Sequence, residues 1–374
     1  MASTYRILLN GSVASDDFYS RISALEVEEN ADMPGAVQMT MAIARSEDGD
    51  LTSVNDAGLQ PFANVAVVSA AEGKTDECIF DGYILSQKIH LESGITASTV
   101  EAWGQDASCL MRLEETSREW ADVTDGAVAN TIAGKYGFTP APENTADDSP
   151  AHTSDGHSLM QRASDFDFLR MLARRTGKLF RVACASAPGA YTAFFATPSV
   201  EGEAVVTLKP NDPEGANVGP LDVEWDVMRP SEIQTRQATF TDTTEASGDV
   251  TESGLAPLDE RNLAAFAARP VKAMLTTPAD DAVELRMRAA AVLRESGWFV
   301  RCTGESDVSR LQHVLRVGQV VAIDGAGSVH SGKYFVWSVR HMLTADAHKM
   351  RFVLMRNAVG PAAAGGGGLL GGLL

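Results

Sequence analysis

Residues 327–334, Gly-Ser-Val-His-Ser-Gly-Lys-Tyr, nearly match a nucleotide-binding motif. The phosphate-binding loop reads G-x-x-x-x-G-K followed by Ser or Thr, whose hydroxyl holds Mg²⁺, and it opens into a helix. Here Tyr334 replaces the hydroxyl residue, and residues 334–339 alternate like a strand. Because both requirements fail, we interpret the segment as a glycine-rich hairpin turn and predict no cofactor.

Two histidines near the C-terminus, His341 and His348, flank a turn that contains Asp346. Three such groups can form a metal site. However, the histidines lie on either side of a predicted hairpin bend rather than on one helical face. We therefore favour hydrogen-bonded polar residues at a strand end over a metal site.

The carboxylates of Asp165 and Asp167 are the clearest candidates for acid–base chemistry. Such chemistry requires two carboxyl groups that converge across a cleft with separated pKa values. Both residues instead lie at the start of a predicted helix, where carboxylates complement the helix dipole and cap free N–H groups. Ser164 and Asp167 also form a Ser-x-x-Asp capping pattern. We expect a structural role for this pair and predict no catalytic residue in the chain.

The composition is that of a folded, acidic protein with 50 Asp and Glu against 31 Lys and Arg and a net charge of −19. A general nucleic-acid binder presents a cationic face to phosphate, so the charge argues against nucleic-acid specificity. An anionic membrane surface would also repel the chain. The acidity fits an acidic channel wall or an ordinary acidic surface.

Four cysteines, Cys78, Cys109, Cys184 and Cys302, lie far apart without zinc or C-x-x-C spacing. We interpret them as reduced structural residues. The N-terminus shows no secretory signal and no apolar run reaches 18 residues. The expectation is a protein made in the bacterial cytoplasm, without membrane insertion, that leaves the cell only within a larger particle.

Short alternating segments and turn residues predict mostly β-structure. Residues 5–9, 22–28, 37–44, 64–69, 78–89 and 96–103 read as strands before the first helical signal. Helices are predicted over 126–136, from Ser164 to Gly177, and over 279–296. Further strands are predicted over 178–183, 191–197, 204–208, 221–228, 233–241, 317–323, 333–341 and 349–355.

Two segments of the chain share a sequence pattern, and we call this similarity the echo. Residues 80–90 and 332–341 each begin near a glycine, alternate in polarity and lead through a polar turn into another strand. A valine-rich segment precedes each of them, at 65–68 and 317–323. The echo suggests two copies of one β-domain, although any two β-hairpins share some of these features.

Residues 160–177, Met-Gln-Arg-Ala-Ser-Asp-Phe-Asp-Phe-Leu-Arg-Met-Leu-Ala-Arg-Arg-Thr-Gly, resemble a signature of phage late control D proteins. The same pattern occurs in the N-terminal hub part of VgrG-type spike proteins. The residues that carry the resemblance here are Gln161, Ser164, Asp165, Phe166, Asp167, Phe168, Leu169 and Gly177. Gly82, Gly332 and His341 lie in further segments that look like this family.

The resemblance implies a fold, a division into domains and a set of partners. The implied fold is β-rich α+β, with two tube-protein-like antiparallel β-barrel domains and inserted helix-containing α/β segments. The implied domains are 1–105 and 201–241 with 297–358 for the barrels, 106–200 for an α/β insert, 242–296 for a loop and helix, and 359–374 for a flexible Gly/Leu-rich tail.

The same resemblance implies a structural baseplate hub of a contractile phage-tail-like injection system. Such a hub is a homotrimer that adapts a threefold spike to the sixfold inner tube and also meets tube-initiator and baseplate wedge proteins. No spike repeat follows the hub segment in this sequence, so a separate spike protein is expected. The particle would be a phage tail, a tailocin or an extracellular injection system.

Two other function classes remain open from the sequence. A hub-associated cell-wall-degrading enzyme would need a further domain with a carboxylate or Cys/His constellation, for which we see no room. A secreted β-rich binding protein would need a secretion signal.

Overall fold

The computed structural model describes residues 4–93, 98–144, 149–153, 158–238, 245–279 and 281–361. The predicted Gly/Leu-rich tail from residue 362 onward lies outside these residues, as does the beginning of the strand predicted at 96–103.

The first part of the chain is almost entirely β-structure. Its elements are β1 (Thr4–Leu9), β2 (Ser12–Val13), α1 (Asp16–Arg21), β3 (Ile22–Asn30), β4 (Ala36–Ala42), β5 (Asn64–Ala70), β6 (Glu77–His90) and β7 (Thr99–Asp106), with 3₁₀ turns at Ala57–Leu59 and Ala107–Arg112. Apolar and polar residues alternate along these strands, so that Val37, Met39 and Met41 of β4 are buried on one face.

The second part is a mixed α/β segment. Its elements are β8 (Glu115–Trp120), α2 (Asp125–Lys135), β9 (Thr139–Pro140), β10 (Leu159–Ser164), α3 (Asp165–Thr176), β11 (Leu179–Cys184) and β12 (Tyr191–Ala196). A hydrophobic cluster that runs from Ala107 to Phe195 forms a core of its own for this segment. Strands β8 and β10 pair with each other and were not predicted from the sequence.

The third part returns to β-structure. Its elements are β13 (Thr207–Leu208), β14 (Leu221–Trp225), β15 (Glu232–Ala238), β16 (Glu245–Val250), β17 (Arg261–Asn262), α4 (Leu263–Ala267), β18 (Lys272–Leu275), α5 (Ala282–Ser296), β19 (Val300–Asp307), α6 (Val308–Leu311), β20 (Val320–Ile323), α7 (Gly327–His330), β21 (Gly332–Leu343), β22 (His348–Arg356) and β23 (Ala358–Val359).

One 13-stranded sheet runs through the first and third parts in the order β14-β19-β22-β21-β3-β4-β7-β6-β5-β1-β2, with β20 and β13 branching from β21. The predicted β-rich fold with large antiparallel sheets is confirmed. The two halves are joined edge to edge, because β21 pairs antiparallel with β3. Their apolar residues also merge into one hydrophobic cluster.

The sheet contains the same arrangement twice. We call β3, β4, β7 and β6, with β5 behind β6, the first module, and β14, β19, β22 and β21, with β20 behind β21, the second module. Strand β6 has a register shift between Ile84 and Ser86 against β7, and β21 has one between Val336 and Ser338 against β22. The echo between residues 80–90 and 332–341 therefore reflects two strands in equivalent positions.

A small separate sheet corrects the assignment of residues 233–238, the described part of the strand predicted at 233–241, to the second barrel. Strand β15 pairs with β16 and β18 rather than with the long sheet. Its Ile233 packs under α5 against Ala289 and Leu293, which holds β15 away from the second module. Residues 245–250, predicted as loop, form β16 because they complete this sheet.

Three smaller predictions also change. Helix α5 begins at Ala282 rather than 279, because Asp281 accepts hydrogen bonds from the N–H groups of Val283 and Glu284. The segment predicted as a hairpin turn contains the one-turn helix α7 before β21. Val359, placed in the flexible tail, pairs with Arg261. Within the described ranges, no helix has the length and apolarity needed to cross a membrane.

Candidate functional site

The signature segment begins with a helix cap. The hydroxyl of Ser164 accepts a hydrogen bond from the N–H of Asp167 at 3.2 Å and donates to the Asp167 carboxylate at 2.8 Å. This is the Ser-x-x-Asp cap predicted from the sequence, and it fixes the start of α3.

Asp165 does not cap the helix, contrary to the prediction. Its carboxylate accepts hydrogen bonds from Lys135 Nζ and the Tyr136 hydroxyl, both at 2.8 Å, and from Gln161 Nε2 at 2.6 Å. Gln161 in turn accepts a bond from Trp120 Nε1 at 3.0 Å. Burial raises the pKa of Asp165, but these donors outweigh it, and its pKa lies below the ordinary value. The carboxylate thus joins α2, α3 and the β8–β10 pair.

The apolar residues of the signature form the centre of the insert. Phe166, Phe168 and Leu169 are all buried in its hydrophobic cluster. The Phe166 ring lies 5.5 Å from that of Phe180 on β11, and the Arg112 guanidinium covers it at 4.1 Å. Burying three such side chains stabilises the insert by several kcal/mol, at about 1.5–3 kcal/mol each.

Gly177 ends α3 where a second helix approaches. Its φ of +66° is left-handed, and an added Cβ would lie 2.8 Å from Ala291 Cα on α5. Near it, Arg294 donates to the Thr176 carbonyl at 2.9 Å. The signature therefore ends at the contact between the insert and α5.

We expect Asp165→Asn to lower the free energy of unfolding by about 1–3 kcal/mol, because a neutral amide cannot accept hydrogen bonds from all three donors, of which Gln161 is buried. Asp167→Asn is the matched control, since its side chain is 58% exposed against 5% for Asp165. It should cost less than about 1 kcal/mol. Urea unfolding followed by circular dichroism measures both, and equal losses would contradict this role of Asp165.

Gly82 lies where β6 approaches β7 too closely for a side chain. An added Cβ would overlap the Gln105 carbonyl oxygen and lie 2.7 Å from Asp106 Cα. The neighbouring Asp81 is buried and accepts bonds from the Gly189 N–H at 2.6 Å and the Tyr191 hydroxyl at 3.0 Å. Asp81 thus connects the first module to the insert, next to the close approach of β6 and β7 at Gly82.

Gly332 makes room for a buried ion pair. It has a φ of +121°, and an added Cβ would lie 2.6 Å from Arg356 Nη2. Arg356 is fully buried, pairs with Asp259 and donates to the Val329 carbonyl at 3.3 Å. The pair holds the loop before β17 against the base of β21.

Charged and apolar pairs hold the two modules together where β21 meets β3. Arg340 on β21 lies opposite Glu28 on β3, and their side chains pair at 2.7 Å. His341 lies opposite Val27, and Leu343 lies opposite Leu25. The side chains in these last two pairs, from His341 to Leu25, are all at most 1% exposed.

A chain of buried polar groups crosses the same junction. The Ser69 hydroxyl lies 2.8 Å from His348 Nδ1, and His348 Nε2 lies 2.9 Å from His341 Nδ1. His341 Nε2 faces Glu29 at 3.8 Å, and Glu29 pairs with Arg316 at 2.6 Å. The chain begins in the first module, passes through two histidines of the second, returns to the first at Glu29 and ends in the second.

Burial and neighbouring side chains set the protonation of His348 and Glu29. Burial and the neighbouring His341 lower the pKa of His348 to about 2, so the ring is neutral. Burial raises the pKa of Glu29, but Arg316 and His341 outweigh it and bring it to about 2. The predicted strand-end histidines are thus fully buried, whereas Asp346 is exposed in the turn. Among the residues that the structure describes, no three His, Cys, Asp or Glu side chains are placed so that they could hold a metal ion.

The polar face of the long sheet carries charges of both signs. Arg301 pairs with Glu224 at 2.8 Å, and Arg351 pairs with Glu305 at 3.4 Å. An open depression of about 460 Å³ lies on this face beside Arg340. Together with Arg340 and Glu28, these residues form pairs of opposite charge between neighbouring strands.

Sequence reasoning missed the buried charges Glu29, Arg316, Asp81 and Arg356, because a charged residue is usually exposed. A signal was present for His341. It has the same strand parity as Val339 and Leu343, which places it on the buried face.

The family model described as the Alg8 N-terminal domain matches residues 1–345. The chain belongs to this family. No curated protein matches the chain.

Several solved structures share the fold of this family member. The tail protein from Neisseria meningitidis MC58 has a TM-score of 0.66 and 14% identity, covering 96% of this chain and 97% of that one. The 43 kDa tail protein of prophage MuSo2 from Shewanella oneidensis has a TM-score of 0.65 and 13% identity, and the match covers 96% of this chain and 100% of that one. The E. coli c3393 protein has a TM-score of 0.54 and 13% identity, and the match covers 91% of this chain and 76% of that one. That protein is a type VI secretion component described as similar to the T4 tail proteins gp27 and gp5. The chain thus has a tail-protein fold.

Proposed function

We propose that this protein is the baseplate hub of a contractile phage-tail-like injection system. Three copies form a ring in which six modules face the sixfold inner tube, and the ring's threefold symmetry matches a separate spike protein. Tube-initiator and wedge proteins are the other partners. The particle is assembled in the bacterial cytoplasm.

The edge-to-edge join of the two modules is the observation that carries this proposal. Strand β21 at the end of the second module pairs with β3 at the start of the first. Such a contact is head-to-tail, since different edges of the repeated unit meet. A repeated head-to-tail contact generates a closed ring when its rotation divides a full turn, and an open filament when it does not. A chain with two modules then supplies one third of a six-module ring.

The polar face of the sheet suits the wall of a central bore. Its cross-strand pairs of opposite charge satisfy one another, and a wall of mixed sign has little net attraction for acidic or basic cargo. The opposite face is apolar and buries the main hydrophobic cluster. The resemblance of residues 160–177 to hub proteins and the tail-protein fold support the same function.

The buried polar chain favours a structural role over hydrolysis. A nucleophilic serine must reach its substrate, but Ser69 and His348 are at most 1% exposed and lie between packed strands. The same burial suits a link that keeps the two modules in fixed orientation.

Mass photometry of the purified protein, alone and with its spike protein, tests this function. We expect particles of three times the protomer mass, which bind the spike with one trimer for each spike trimer. A protein that stays monomeric in both samples, or that forms twofold dimers, would contradict the hub assignment.

A further inference from the structure

One strand edge at the end of each module lacks a partner in the described part of the chain. Strand β6 pairs with β5 only as far as Tyr83, while β7 continues along its other side to His90. Residues 86–90 therefore have one bare edge. Strand β14 pairs only with β19 and has the other. Bare edges are templates for pairing with another chain.

The second module shows what such an edge does when a partner is present. Beyond β20, Val336 exchanges backbone hydrogen bonds with Gly318 and Gln319 at 3.1 and 2.9 Å. After the register shift, the same edge of β21 takes β3 as its partner. In the first module, Ile84 makes the equivalent bonds with Phe62 and Ala63 at 2.8 and 3.0 Å. Beyond this point, residues 86–90 of β6 have no strand on this edge in the described part of the chain.

Rows of directly opposed residues align the two modules. The row in the first module is Val27, Val37, Gly104 and Ile84. The row in the second module is Val223, Cys302, Leu354 and Val336. Val223 is therefore the equivalent of Val27, and Ile84 is the equivalent of Val336.

The β21–β3 junction within the chain then fixes the register of a corresponding junction between β6 and β14. Val27 lies opposite His341, and Glu28 lies opposite Arg340. Carrying these offsets over places Val223 opposite Ile89 and Glu224 opposite Lys88. Two positions further along, Leu221 meets Leu91.

The apolar side chains at these positions are more exposed than the equivalent side chains at the β21–β3 junction, as expected where the neighbouring strand is absent. Ile89 and Leu91 are 42% and 61% exposed, whereas their equivalents His341 and Leu343 are 0% and 1% exposed. Leu221 and Val223 are only half-buried, whereas Leu25 and Val27 are buried. Pairing the two edges would cover all four apolar side chains.

The charges at the two edges are complementary. Arg301 already pairs with Glu224, and Lys88 lies 3.6 Å from Glu101. Bringing the edges together produces a ladder of alternating sign, Arg301–Glu224–Lys88–Glu101. The Lys88–Glu224 pair then repeats the observed Arg340–Glu28 pair.

We infer that a second copy of this chain pairs its β14 antiparallel with residues 86–91 of the first, with Lys88 opposite Glu224 and Ile89 opposite Val223. This inference rests on the proposed ring, and it names the residues that close each contact between chains. Both of these module edges are then paired in every copy.

Register-specific cross-linking tests the contact. Because the free Cys302 lies opposite Val223 within the chain, the cysteine variants are made in a Cys302→Ala background. In the double variant Ile89→Cys/Val223→Cys, the directly opposed cysteines of two chains then lie within reach of a disulfide. Copper phenanthroline as oxidant removes two electrons and two protons from each thiol pair. We expect a covalent trimer on a non-reducing gel. The control Ile89→Cys/Trp225→Cys shifts one cysteine to a diagonal position, where the Cβ atoms are about 7 Å apart, and should cross-link weakly.

Charge reversal tests the same register without oxidation. Lys88→Glu and Glu224→Lys should each raise the protein concentration at which half of the trimer dissociates by about tenfold or more, because like charges then face each other at all three contacts. The double variant should recover most of the loss. Lys74→Glu, which makes the same charge change in an exposed turn, is the control.

The outcomes separate this inference from the proposed function. Trimers that show neither the cross-link nor the charge-swap recovery would overturn the register and leave the hub intact. Equal cross-linking in the diagonal control would overturn it as well. A wild-type protein that forms no trimer overturns both.

Discussion

Replacing Gly82 with alanine should lower the free energy of unfolding by about 3 kcal/mol or more, or prevent folding at 37 °C. The added methyl group would overlap the carbonyl oxygen of Gln105 and press on Asp106 Cα. Both obstacles are backbone atoms of β7, which cannot rotate away as a flexible side chain can. Overpacking of this kind costs about 1–3 kcal/mol when the structure can adjust, and more when it cannot.

The position of Gly82 makes the loss cooperative. Its neighbour Asp81 joins β6 to the insert through Gly189 and Tyr191. Asp106, opposite Gly82, accepts from the N–H groups of Gly35 and Ser108 and fixes the 3₁₀ turn that follows β7. Moving β7 away from β6 would disturb all of these bonds.

Gly134→Ala is the matched control for this substitution. Gly134 lies in α2 with no atom within 4 Å of an added Cβ. Alanine there should stabilise the helix by up to about 1 kcal/mol. Urea unfolding of the two variants should give changes of opposite sign, and a Gly82→Ala protein within about 0.5 kcal/mol of wild type would contradict the close approach.

The second large effect is on the pH dependence of stability, through His348. In the folded protein its pKa is about 2, against 6.5 for a free side chain. Below pH 6.5 the unfolded chain therefore binds a proton that the folded chain does not. The His348 contribution to the free energy of unfolding falls by up to about 1.4 kcal/mol for each pH unit, or by about 2 kcal/mol between pH 6.5 and 4.5.

His348→Gln isolates this contribution. Glutamine can keep hydrogen bonds to Ser69 and His341 but cannot take up the proton, so the variant should lose less stability on acidification than wild type. Asp106, whose pKa burial raises to about 6, acts in the opposite direction in both proteins and cancels in the comparison.

The exposed His90 provides the control. His90→Gln makes the same change outside the buried chain. Urea unfolding at several values of pH gives the slopes. If the free energies of unfolding of wild type and His348→Gln have parallel slopes between pH 6.5 and 4.5, the claim that His348 is buried as a neutral ring is wrong.

Local patterns predicted much of the fold. The alternation in residues 22–28 and 37–44 predicted β3 and β4, and the Ser-x-x-Asp pattern predicted the start of α3. The echo between residues 80–90 and 332–341 identified the two equivalent strands. Each of these signals depends on neighbours in sequence, which a single chain displays directly.

Long-range contacts were beyond those patterns. Nothing local to β3 or β21 indicates that they pair across about 300 residues of chain. Strand β16 has the sequence Glu-Ala-Ser-Gly-Asp-Val, which reads as loop and forms a strand only because β15 accompanies it. The buried Glu29–Arg316 pair could not be predicted either, since each charge is tolerated only through the other.

The account depends on a module that joins head to tail, first within the chain and then between chains. Cryo-electron microscopy of the purified ring tests this most directly. We expect three chains around an open bore, with one continuous sheet in which the β21–β3 pairing alternates with a β6–β14 pairing between chains. A particle whose chains meet through other surfaces, or whose bore is closed by packed side chains, would contradict it.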